Sequence, residues 1–175
     1  MKILLPYLQQ NSHYAELERK NFLNDVVTTG QSWFAKMIYK NFDDVTVKFV
    51  NNIKSKELRE NPKISKEICN SIKKKANEIN ADVIICNNFQ SYISGASVVD
   101  SNIPIMYVCH ENRASMSCIK HMKRLKKNNH SVFLVNEFQK NYYDAYAKRL
   151  NSDLISFDGF VEPAYLEGEK PKINN

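Results

Sequence analysis

The sequence predicts an α/β protein, a Rossmann-like doubly wound parallel sheet of about six strands with helices on both faces. Three observations predict it. Short β-rich apolar runs alternate with longer helical segments, which is the signature of a parallel sheet covered on both sides. Gly and Pro are scarce, four and five in 175 residues, against sandwiches that need frequent turns. Hydrophobic residues make up 43% of the chain and charged ones 25%, the balance of a globular core and not of a disordered segment. The length is expected to make about one domain, or at most a small pair, and not a large two-domain enzyme.

Taken in order, the expected strands cover residues 3–5, 45–50, 83–86, 105–109, 132–135 and a weaker run at 154–157. The expected crossover helices cover residues 32–41, 64–79, 92–100, 114–127 and 137–150. Ala81-Asp82 and Asn102-Ile103-Pro104 read as helix exits feeding strands, with Pro104 at a strand start where its missing N–H is tolerated. In the helix from Glu137, the residues Phe138, Tyr142, Ala145 and Leu150 are expected to face inward, and Lys140, Asp144 and Lys148 outward. Residues 7–30 form a long polar connection of the kind that carries function. No internal repeat is visible.

The formal charge is +6, carried by twenty Lys against five Arg. This is compatible with a polyanionic partner. Together with heavy use of Asn it fits an A+T-rich source such as a phage or a low-G+C bacterium. The N-terminal apolar run Ile3-Leu4-Leu5 is too short for a signal peptide or a membrane span, so the expected location is the cytoplasm, the host's if the chain is phage-encoded. Cys69, Cys86, Cys109 and Cys118 show no paired metal spacing and are expected as buried free thiols. No metal site is expected.

In an open parallel sheet, ligands bind beyond the carboxyl ends of the strands. Four clusters fall there: the loop closing on Gly30, then Asn87-Asn88, His110-Glu111-Asn112-Arg113 and Asn136-Glu137. Gly30-Gln31 before a helix would bring backbone N–H groups to an anion. There is no G-x-G-x-x-G and no Walker lysine motif, which disfavours dehydrogenases and P-loop enzymes. His110 beside Glu111 can take a proton from an acceptor hydroxyl, with the acid orienting the ring. His13, His121 and His130 lack such a setting and are expected at the surface. Arg113, Ser117, Lys120, Arg124 and Lys127 share one helix face, flanked by Lys123 and Lys126, while Cys118, Ile119, Met122 and Leu125 turn inward. No acid lies between Glu111 and Glu137, so this is a basic stripe able to contact phosphates without reading sequence.

Met1-Lys2-Ile3-Leu4-Leu5, Gly30, His110-Glu111, Val135-Asn136-Glu137-Phe138-Gln139-Lys140 and Phe157-Asp158-Gly159-Phe160-Val161 together resemble the N-terminal half of a GT-B retaining glycosyltransferase. The region around His110 is similar to phage DNA α-glucosyltransferase-like enzymes, in which a strand ends in His-acid-His before a basic helix. Here Glu111 stands at the acid and Asn112 at the second histidine. The resemblance implies residues 1–158 as a Rossmann-like GT-B N-terminal domain, and residues 159–175 as a linker or tail towards a second, donor-binding domain. It implies transfer of a sugar from a nucleotide-sugar such as UDP-glucose, a co-substrate and not a tightly bound cofactor, to a hydroxyl acceptor. Modified phage DNA is one acceptor it implies. His110 and Glu111 would be catalytic, Gly30 and Gln31 would contact donor phosphates or sugar, and Arg113, Lys120, Arg124 and Lys127 the acceptor or its phosphates. The rival expectations are a non-catalytic nucleic-acid or partner-binding domain on the same scaffold, and half of a bacterial cell-surface sugar transferase.

Overall fold

The computed structural model describes residues 1–9, 30–51, 62–87, 102–110 and 116–161. The elements are β1 (Ile3–Gln9), α1 (Gly30–Asn41), β2 (Val45–Asn51), α2 (Pro62–Ile79), β3 (Val83–Asn87), β4 (Ile105–Cys109), α3 (Met116–Lys127), β5 (Ser131–Leu134), α4 (Glu137–Arg149) and β6 (Gly159–Phe160). The strands form one sheet in the order β2-β1-β3-β4-β5-β6, and every neighbouring pair is parallel. This is the α/β Rossmann-like architecture that the alternation of runs predicts.

The period of two along each strand sorts side chains between two cores. On one face Ile3, Leu5, Ile85 and Val108 pack against Phe34 and Ala35 of α1. On the other, Leu4, Ile84, Cys86, Tyr107 and Cys109 pack against Ile72 and Ala76 of α2, Cys118, Ile119, Met122 and Leu125 of α3, and Tyr143 and Ala147 of α4. Burial of strand residues on both sides is why these runs are continuously apolar and not alternating.

Strand order reverses between β1 and β3, the place where such sheets open a crevice. Pro6 marks that opening. The β1–β3 ladder covers only Ile3↔Val83 and Leu4↔Ile84, so at Pro6 the strand is paired on the β2 side alone and a missing N–H is tolerated.

Three helices stop in the same way. Asn80, Asn129 and Asn151 take left-handed φ values of 51°, 59° and 48° just past α2, α3 and α4. In each case the next N–H returns to a carbonyl five residues back: Ala81 to Ala76, His130 to Leu125 and Ser152 to Ala147. Asparagine tolerates this conformation better than other non-glycine residues, so it ends the helices of a glycine-poor chain.

At the amino ends of the strands, side chains close the backbone. Asp82 Oδ2 accepts from the Lys2 N–H at 2.7 Å, and His130 Nδ1 accepts from the Ile105 N–H at 3.3 Å. Asp158 Oδ2 accepts from the Val132 N–H at 2.6 Å while Lys126 Nζ donates to both oxygens of that carboxylate, at 2.7 and 2.8 Å.

Several expectations are corrected. The sixth strand is Gly159–Phe160, beyond the weak run at 154–157 and inside the segment expected as a linker, because Phe133↔Gly159 and Leu134↔Phe160 continue the ladder after Asp158 caps Val132. In α4 the buried residues are Gln139, Tyr143 and Ala147, whereas Phe138 is 82% and Tyr142 45% exposed. The stripe is turned by one residue because Gln139 is held inward by hydrogen bonds. The outward Lys140–Asp144 pair forms as expected, at 2.7 Å. His121 and His130 are buried, not superficial: His121 stands edge-on to Tyr107, with ring centroids 5.2 Å apart, and His130 caps the Ile105 amide. Cys86, Cys109 and Cys118 are buried free thiols; the side chain of Cys69, the helix expected at 92–100 and His13 lie outside the described residues. Among the described residues no helix is long and apolar enough to cross a membrane.

Candidate active site

The described carboxyl ends of the strands carry Asn87 after β3 and His110 after β4, with the amino end of α4 after β5. Asn87 is buried as the last residue of β3. His110 follows Cys109 directly, and its half-buried ring meets Phe34 of α1 edge-on, with centroids 5.7 Å apart and an interplanar angle of 64°. Its Nε2 is buried and has no hydrogen-bond partner among the described residues. Burial penalises the imidazolium and lowers the pKa from 6.5 to about 4, so the ring is neutral at neutral pH. The result is a neutral imidazole whose buried Nε2 has no partner among the described residues.

Gly30 and Gln31 are the first two residues of α1 and not a loop before it, so the helix begins two residues earlier than expected. Phe34, one turn further on, is the described contact between that helix and His110. Glu111 and Arg113 lie outside the described residues.

On α3, the residues Cys118, Ile119, Met122 and Leu125 are buried and Lys120, Arg124 and Lys127 exposed, as the spacing predicts. The flanking lysines have another role. Lys123 Nζ donates to Ser152 Oγ at 2.8 Å and lies 3.8 Å from the Asp153 carboxylate, and Lys126 pairs with Asp158. The basic field therefore divides into two lysines that tie α3 to the chain after α4, and three cations displayed to solvent.

Sequence reasoning missed Gln139. It is 4% exposed, its Oε1 accepts from the Val135 N–H at 2.7 Å, and its Nε2 donates to the Cys109 carbonyl at 3.0 Å. The signal was Asn136-Glu137-Phe138-Gln139, an N-cap residue followed three positions later by Gln. Asn136 does cap α4, accepting from the Gln139 N–H at 2.9 Å. The glutamine reaches past the cap to the neighbouring strand.

Cys109 Sγ and Cys118 Sγ lie 3.4 and 3.3 Å from Tyr143 Oη. Burial alone pushes the Cys86 thiol up to about 12, which leaves it protonated and unreactive. Among the described residues no group of three or more His, Cys, Asp or Glu could hold a metal ion. No protein-family model matches the chain, and no curated protein matches it.

Proposed function

We propose that the chain is the acceptor-binding half of a GT-B glycosyltransferase, which moves a sugar from a nucleotide-sugar such as UDP-glucose to a hydroxyl acceptor. The observation that carries this reading is the His110 imidazole, neutral and with an unpartnered Nε2, at the carboxyl end of β4. As the acceptor oxygen bonds to the anomeric carbon and the nucleoside diphosphate leaves, His110 Nε2 takes the hydroxyl proton. A pKa near 4 makes an isolated imidazole a weak base, but a diphosphate entering the cleft favours the imidazolium and raises it. In this reading Glu111 orients or stabilises the ring, and the start of α1 at Gly30 and Gln31 faces donor phosphates or sugar through free backbone N–H groups. A second Rossmann-like domain holds the rest of the donor.

The test is sugar transfer by the chain combined with a donor-binding domain, using UDP-glucose with modified phage DNA or a cell-surface polymer as acceptor. His110→Ala lowers turnover by about 10²–10⁴-fold if the ring is the base. Unchanged turnover rejects that role. Full turnover by the 175 residues alone rejects the half-enzyme picture.

A second reading, a domain that binds nucleic acid or another polyanion without catalysis, is favoured by the exposure of Lys120, Arg124 and Lys127 on one face of α3. It requires affinity for DNA that falls steeply with salt, measured by fluorescence anisotropy, and that is lost when these three become Glu. Binding insensitive to salt removes it.

A further inference from the structure

The β4–β5 ladder ends at Cys109↔Leu134. One residue further, where His110 and Val135 leave the sheet, the strands no longer pair, yet the Cys109 carbonyl and the Val135 N–H must still be satisfied. The carboxamide of Gln139 fills the gap. Its oxygen faces the Val135 N–H and its nitrogen the Cys109 carbonyl, so it behaves as an inserted peptide unit with its orientation fixed by both partners.

We propose that Gln139 is the positioning residue for His110: its carboxamide clamps the Cys109 carbonyl and thereby sets the peptide plane from which the imidazole is carried against Phe34. The peptide between Cys109 and His110 is planar, so holding the carbonyl also holds the His110 nitrogen and limits where its Cα can go. The ring then has two supports, the clamped backbone on one side and the Phe34 edge on the other. Gln139 is itself held, because its N–H bonds to Asn136 Oδ1 and its side chain is buried. The residue type is specific. Asn is one methylene too short to span the two strands, ionised Glu accepts from Val135 but cannot donate to Cys109, and Leu does neither. The groups facing the imidazole support the same picture: Phe34 presents carbon, and burial is the cause of the lowered pKa, with no charged neighbour among the described residues contributing.

The catalytic meaning of this clamp rests on the reading of His110 as a base, but the clamp can be measured without turnover. The experiment follows the imidazole resonances of the full chain by NMR across pH, with His110→Gln used for assignment. His121 serves as an internal control, since it is also buried and also lowered to about 4, by burial first and by Arg124 second. In Gln139→Leu the His110 midpoint is expected to rise by one pH unit or more towards 6.5 as the ring gains water, while His121 stays in place. A His110 midpoint that does not move, or one that moves together with His121 as in general loosening, overturns the proposal. Gln139→Glu is the second variant and carries the test if the Leu form does not fold. Its His110 signals are displaced from those of the wild type at neutral pH, and the difference from wild type at the same pH shrinks as acid restores the donor; wild-type signals at neutral pH overturn the proposal equally. Absence of sugar transfer by the wild-type enzyme would remove the base reading and leave this displacement untouched, so the two failures are distinguishable.

Discussion

The two ends of the sheet treat polar groups differently. At the amino ends, Asp82, His130 and Asp158 each take a backbone N–H, and the Asp158 carboxylate is further neutralised by Lys126. At the carboxyl ends, Gln139 closes the gap between β4 and β5, but His110, which follows the clamped Cys109, keeps a buried nitrogen without a partner among the described residues. Among the described residues Tyr107 Oη in the core is likewise buried without a partner, so what supports the proposed role of His110 Nε2 is its position at the carboxyl end of an α/β sheet, where ligands bind. The contrast separates side chains that finish the fold from the one that the proposed function uses.

The strongest way to break this contrast is to remove the clamp. Gln139→Leu removes the bonds to the buried Cys109 carbonyl and the part-buried Val135 N–H and is expected to cost about 1–3 kcal/mol of stability, read from urea unfolding. Acid sharpens it next. His110 and His121 have folded pKa values near 4 against 6.5 in the unfolded chain, so the unfolded state binds more protons below that value. Stability is therefore full above about pH 6.5 and falls as pH drops through 4, with His121 contributing a slope of at most about 1.4 kcal/mol per pH unit. Urea midpoints at pH 7, 6, 5 and 4 measure it, and a flat profile would mean that the rings are not buried in solution. Asp158→Ala attacks the other end. It loses the Val132 cap and the partly exposed Lys126 pair, for an expected cost of about 1–2 kcal/mol, with His110 resonances unchanged. The smallest effect is expected on α3, where replacing Lys120, Arg124 and Lys127 together by Gln shifts stability by less than about 1 kcal/mol, because exposed charges contribute little. A larger loss would show that these cations are structural, as Lys123 and Lys126 are.

The inward set of α3 and the strand boundaries at residues 105–109 were legible because periodicity and apolar runs report local geometry directly. The asparagines were legible only as composition. Their role one or two residues past α2, α3 and α4 depends on where those helices end, since a left-handed stop needs a residue that tolerates positive φ in a chain with few glycines. The phase of α4 was misread, since exposed Phe138 and Tyr142 looked more like core than Gln139 did. Hydropathy ranks side chains by transfer to oil, and it cannot count two backbone groups on separate strands waiting for one carboxamide.

By itself the sequence determined the class of fold, the alternation that makes the sheet parallel, and His110 as the residue to watch, because these depend on nearest-neighbour pattern. The tertiary structure alone decided that His110 would be neutral, unpartnered and braced by Phe34 and Gln139. Phe34 lies in α1, His110 just past β4 and Gln139 in α4, far apart in the chain. Burial and hydrogen-bond geometry are properties of their meeting, and no local pattern encodes them.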